Sequence, residues 1–175
     1  MSILRFLLIL LCAFPLSAGE PLTLEQAQKA ANTLKKALGG TLKEKLANGD
    51  PKAAITFCAQ QAIPLTNETG EALQLAVSRV TDKPRNPQNQ ASPEELKLMA
   101  EAKDAAERGE SPTYFEQNGQ FYFPMTMQPL CLTCHGEIIA PVILQELGRH
   151  YPNDLAIGYR ENEFRGFIKV SPKEP

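Results

Sequence analysis

The tightest constraint on this chain lies late in it. Cys131 and Cys134 stand three positions apart, and His135 follows at once, in the run Cys131-Leu132-Thr133-Cys134-His135. Side chains three apart on a helical turn share one face. The spacing therefore asks for a tight turn that presents two sulfurs together, with an imidazole next to them. The surrounding fold has to leave a recess for whatever these groups hold.

Cys-x-x-Cys-His is the attachment signature of c-type haem. Two thiols at this spacing reach the two vinyl groups on one edge of a porphyrin, and the following imidazole falls beneath the iron. The rival readings fit less well. A thioredoxin-like redox pair calls for this motif at a helix start within a βαβ unit, and no such context is visible. A structural zinc site is open to Cys58, Cys131, Cys134 and either of the two histidines, but zinc has no need of His directly after the second Cys. The motif thus predicts one covalently attached haem c, with thioether links at Cys131 and Cys134 and His135 as an axial ligand.

The start of the chain supports this. Met1 to Arg5 form a short positive start, Phe6 to Leu16 are apolar, and Leu16-Ser17-Ala18 offers small residues for cleavage near Gly19. The apolar run is about half of the ~20 residues needed to span a bilayer. The expectation is a cleaved signal peptide over 1–18 and one domain over 19–175. This gives a periplasmic or otherwise extracytoplasmic protein with no stable membrane span after cleavage. Cleavage removes Cys12 and leaves Cys58, Cys131 and Cys134, an odd set that gives Cys58 a reason to be engaged. A formal net charge of -2 without a basic stripe argues against nucleic acid as a partner.

Local signals predict an α+β chain. Thr23-Leu24-Glu25-Gln26 reads as a capping box. It opens a helix with Leu24, Ala27, Ala31, Leu34, Leu38, Leu42 and Leu46 on one face, and Gly39-Gly40 allows a kink or break. Asp50-Pro51 caps a second helix that stops near Pro64. Alternation at Leu73, Leu75 and Val77 favours a strand, and Ser92-Pro93-Glu94-Glu95 opens another capped helix that ends near Gly109. Asn118-Gly119 joins a hairpin of Tyr114–Gln117 and Gln120–Met127. Pro141 to Arg149 reads as a short helix and Phe164 to Val170 as a last strand. The charged faces around Lys35-Lys36 and Glu94-Glu95 read as solvated surface.

For the second face of the iron, the residues alone leave Cys58, Met99, Met125, Met127 and His150 open. Arg79, Arg85 and Arg165 are candidate partners for the haem propionates, since a guanidinium pairs two-pronged with a carboxylate.

Several segments occur together and in order: Cys58, Arg85-Asn86-Pro87-Gln88-Asn89, Pro129 through Gly136, Tyr151 through Tyr159, and Arg165-Gly166. The set resembles the PAS-like single-haem c-type cytochrome family, over most of the chain after the leader. It departs at Gln90-Ala91, where relatives often carry another proline. The resemblance implies a PAS-like antiparallel sheet with N-terminal helices around one haem, and His/Cys axial ligation with Cys58 at the matching position. A thiolate ligand favours ferric iron and a low potential. The expected role is one-electron transfer or redox sensing with an unidentified redox or signalling protein, and not enzymatic turnover. The alternative is a gas or redox sensor that works by axial-ligand exchange and signals through a partner.

Overall fold

The computed structural model describes residues 21–173, so the expected leader over 1–18 lies outside the described residues. Helix α1 (Leu24–Ala47) begins at the capping box, where Gln26 N–H donates to Thr23 Oγ1 and Thr23 N–H donates to Gln26 Oε1. Against expectation it runs unbroken through Gly39-Gly40. Glycine weakens a helix by about 1 kcal/mol relative to alanine without forbidding it. Here Leu34 and Leu38, before the pair, pack on the sheet, and the helix continues along the cavity to Leu46. Helix α2 (Pro51–Gln60) is capped by the Asp50 carboxylate, which accepts from Ala53 N–H at 2.9 Å.

The expected stop near Pro64 is also revised. The chain breaks at Gln61 and restarts as α3 (Ala62–Leu73), with Pro64 in its first turn. A first-turn N–H has no intrahelical acceptor, so proline loses nothing there. Leu73 therefore closes a helix, and Gln74 in the left-handed region (φ 55°) turns the chain into β1 (Leu75–Val80).

Helix α4 (Pro93–Glu107) follows its capping box at Ser92. Strands β2 (Phe115–Gln117) and β3 (Gln120–Thr126) form the hairpin, with positive φ at Asn118 and Gly119 as a tight two-residue turn requires. The one-turn helix α5 (Leu132–His135), α6 (Pro141–His150) and β4 (Phe164–Pro172) complete the chain. The four strands pair antiparallel in the order β1-β4-β3-β2. The expected α+β architecture, an antiparallel sheet with N-terminal helices, is what the chain adopts.

Both faces of the sheet are covered. Ala27, Ala30, Ala31 and Leu34 of α1 pack on Val77, Phe121, Phe123, Ile168 and Val170. On the other face Leu98, Met99 and Ala102 of α4 pack on Val80, Tyr122 and Phe167. Glu95 is buried, not solvated as the sequence suggested. Its carboxylate accepts from Ser92 N–H and from Lys169 Nζ (2.9 Å), so it serves helix and sheet together. At ~1.5 Å per residue, α1 is longer than its seat on the sheet. Its second half, from Lys35 to Leu46, extends past Met125 and borders the recess described next.

Candidate cofactor cavity

A cavity of about 530 Å³ lies between the second half of α1, the start of α3, the α2 residues Phe57 and Cys58, the sheet end at Arg79–Thr81 and Pro124–Met127, and the α5 segment. It falls in the ~300–1,000 Å³ range of cofactor sites. Cys58, Arg79, Arg85, Cys131, His135 and Arg165 all border it. Cys134 borders a smaller adjoining pocket of about 70 Å³ together with Cys58, Cys131 and His135. Residues scattered over 108 positions of sequence, from 58 to 165, are thus gathered around one space.

Local packing fixes the donors. Cys58 sits on α2, which is held by Ile55 against Ile143, Leu147 and Tyr151, with Cys134 at the edge of the same cluster. The turn carrying Cys131 and His135 is tied down by the segment after α6: Gly158 N–H donates to Gly136 O, and Tyr159 N–H donates to His135 O, both at 3.0 Å. Gly136 is needed where it stands, because a Cβ there would meet Leu132 O at 2.6 Å. His135 Nδ1–H donates to Ala156 O at 2.6 Å, and the ring packs edge-on against Tyr159. This bond fixes the tautomer and leaves the lone pair on Nε2, where it accepts from Arg85 Nη1–H at 3.4 Å, a contact that a metal at Nε2 would replace. A metal-ligating histidine characteristically has its other ring nitrogen held in this way. Burial, then the charges of Arg85 and Arg165, push the imidazole well below its ordinary value, so it is neutral. Burial raises the Cys58 thiol, against an opposing pull from Arg79 and Arg85.

The arginines are not equivalent. Arg85 is fully engaged: Nε donates to Asp154 Oδ2 at 2.9 Å, Nη2 donates to the carbonyls of Cys134 and Ala156, and Nη1 lies 3.4 Å from His135 Nε2. Arg165 donates to Thr81 Oγ1 and lies over the Tyr159 ring at 5.3 Å. Arg79 is enclosed by protein except along the cavity, and its Nε has no hydrogen-bond partner among the described residues. Burial lowers its pKa, while the Cys58 sulfur acts the other way.

Of the other sulfur and imidazole candidates, Met125 and Met127 border the cavity. Met99 packs from α4 onto the far face of the sheet, and His150 pairs with Glu146 on α6. Among the described residues no three His, Cys, Asp or Glu side chains converge as a zinc site requires. Sequence reasoning missed three participants. Asp154 accepts from Arg85 and, through Oδ1, from Ala156 N–H at 2.8 Å. Ala156 contributes only a carbonyl, and Lys35 reaches the cavity edge from α1. Asp154 and Ala156 fall within the segment that carried the family resemblance, but nothing in their residue types announced these roles.

A family model described as Tll0287-like matches residues 20–172, nearly the whole chain. The chain belongs to the Tll0287-like family. The crystal structure of the cyanobacterial haem protein Tll0287 aligns with a TM-score of 0.63, covering 87% of this chain and 98% of that one at 20% identity. At that identity the likeness establishes a shared fold. No curated protein matches the chain. Membership of the Tll0287-like family agrees with the resemblance read from the ordered motifs, and the same motifs supply the walls of the cavity.

Proposed function

We propose that this chain is an exported monohaem c-type cytochrome that acts in low-potential one-electron transfer or redox sensing and not as an enzyme. Cys131 and Cys134 would hold the haem through thioether links, and His135 and Cys58 would ligate its iron. The observation that carries this reading is the convergence of a tautomer-fixed His135 and the Cys58 sulfur on one cavity whose rim holds the motif cysteines. The residues fit the group: a mostly apolar recess of suitable size, an imidazole and a thiol for the metal, two thiols for covalent attachment, and guanidinium groups for two carboxylate arms. The printed description of Tll0287 as a haem protein is in keeping with it.

The haem would supply the one-electron couple. The protein's part is to fix the ligands and the field around them. Ala156 orients His135 and makes it a better donor. Cys58, as a thiolate, lowers the potential relative to a thioether ligand. Arg85 and Asp154 hold the attachment turn. Export through the leader places the chain outside the cytoplasm, where an unidentified redox or signalling protein is its partner. Among the described residues no helix is long and apolar enough to cross a membrane.

Absorption and paramagnetic resonance spectra of the wild type beside Cys58→Ala test the ligand set. Thiolate ligation gives a low-spin ferric signal that changes sharply in the variant, and coincident spectra refute it. A colourless preparation from a host equipped for cytochrome maturation refutes the haem. One observation favours ligand exchange as a second reading: Met125 and Met127 border the same cavity as Cys58. Carbon monoxide added to reduced protein tests it, since an unchanged spectrum excludes gas sensing by this route.

A further inference from the structure

Four cations border the large cavity, namely Lys35, Arg79, Arg85 and Arg165, and among the described residues no carboxylate does. Asp154 neutralises Arg85. Among the described residues the other three form no ion pair with an acid. Lys35 is exposed and keeps water, but Arg79 and Arg165 are largely enclosed, and an unpaired charge withdrawn from water is costly unless a counter-charge is provided. Arg79 is the sharpest case, since its Nε is buried and finds no acceptor. It stands on β1 opposite Ile168 of β4, which also borders the cavity. Lys35 reaches from α1 to Pro124 O of β3 at 3.3 Å, and Arg165 is steadied by Thr81. The unpartnered cations thus come from the sheet and from the helix that crosses it, and the sulfurs and imidazole come from α2 and the α5 turn.

We infer that Arg79 is the principal carboxylate-binding residue of the cavity, where its guanidinium pairs with an acid arm of the prosthetic group, with Lys35 and Arg165 adding positive charge. This rests on the haem reading and makes it more specific. The sequence offered Arg79, Arg85 and Arg165 on equal terms. The structure separates them, because Arg85 already spends its donors on Asp154, Cys134 and Ala156. A guanidinium presents parallel N–H bonds that match a carboxylate, and a charge-assisted pair of this kind in a closed site discriminates strongly against a neutral ester.

The test uses the full chain expressed without haem-maturation machinery and kept reduced, titrated with iron protoporphyrin IX and with its dimethyl ester. The diacid should bind the wild type at least about tenfold more tightly than the diester. That ratio should collapse toward one in Arg79→Leu and recover in part in Arg79→Lys. Equal affinities in the wild type, or an intact ratio in Arg79→Leu, would overturn the inference and leave the haem reading standing. If neither porphyrin binds the wild type, the inference is overturned, whereas the haem reading falls only if the protein matured in an equipped host is colourless. Should Arg79→Leu not fold, Arg79→Gln, which removes the charge and keeps a polar arm, carries the comparison.

Discussion

Replacing Asp154 by alanine should be among the most damaging single changes outside the hydrophobic core. The carboxylate accepts from Arg85 Nε at 2.9 Å and from Ala156 N–H at 2.8 Å, and the two side chains are only 9% and 12% exposed. Removing one member of a buried pair strands the other and costs about 3–5 kcal/mol. Arg85 keeps two carbonyl acceptors and borders the cavity, which places Asp154→Ala near the lower end, about 3 kcal/mol. Asp154→Asn keeps an acceptor for both donors and loses the charge, so about 1–1.5 kcal/mol is expected. Against a total stability of about 5–15 kcal/mol, both shifts are measurable by urea unfolding followed by circular dichroism. For a urea slope of about 2 kcal/mol/M, the midpoint of the alanine variant falls by about 1.5 M. The double variant Arg85→Leu/Asp154→Leu should lose less than the sum of its parts, because no lone charge remains. If Asp154→Ala falls within 1 kcal/mol of the wild type, or is no worse than Asp154→Asn, the pair is not holding the attachment turn.

Three further outcomes follow from single positions. Gly39 lies inside α1 at the cavity edge with nothing within 4 Å of a Cβ. Gly39→Ala should therefore raise urea stability by about 0.5–1 kcal/mol, whereas Gly39→Phe should fill the recess and lower haem content per chain. Gly166 has φ 140°, and a Cβ there would collide with Val80 O of the paired strand. Gly166→Ala should cost about 3 kcal/mol or more and, by displacing Arg165 and Thr81, depress soluble yield. Burial alone would raise the Asp82 carboxyl, but the hydrogen bond and charge of Lys103 outweigh it and hold its pKa below the ordinary value. Its stabilisation is therefore complete above the unfolded value of ~3.9 and fades as pH falls through the lower folded value. It is worth less than ~1 kcal/mol for so open a pair, and Asp82→Asn should flatten that acid limb of the stability profile.

Features written in consecutive residues were legible in the sequence. The caps at Thr23, Asp50 and Ser92 and the Asn118-Gly119 turn are all local signals, and all of them form. Two of the misreadings arise because tertiary packing outweighs local punctuation, and the third is a matter of position within a helix. Gly39-Gly40 is not a break in a helix whose Leu34 and Leu38 are packed on the sheet, and Pro64 is not a stop because it occupies the one part of a helix that tolerates proline. Glu95 reads as surface until the strand carrying Lys169, 74 residues later, comes to lie beside it. The site divides in the same way. Cys131, Cys134 and His135 are adjacent and announce themselves. Cys58 stood out through the odd cysteine count and the family resemblance. The carbonyl of Ala156 has no sequence signature at all.

The sequence offers Arg79, Arg85 and Arg165 as carboxylate partners, but it does not show that Lys35 joins them around a cavity whose described lining holds no acid. The chain carries 20 acidic and 18 basic residues, so acids are not scarce. The large cavity nonetheless draws a cation from each of α1, β1, the segment after β1, and β4, while its described lining includes no Asp or Glu. The one acid that approaches, Asp154, is spent on Arg85. Between the cations lie Leu38, Leu42, Phe57, Met125 and Ile168. Apolar walls with surplus positive charge at separate points match an apolar molecule that carries acid groups. They discriminate against small hydrophilic anions, which would gain nothing from the leucines, and against neutral apolar ligands, which would leave the arginines unpaired.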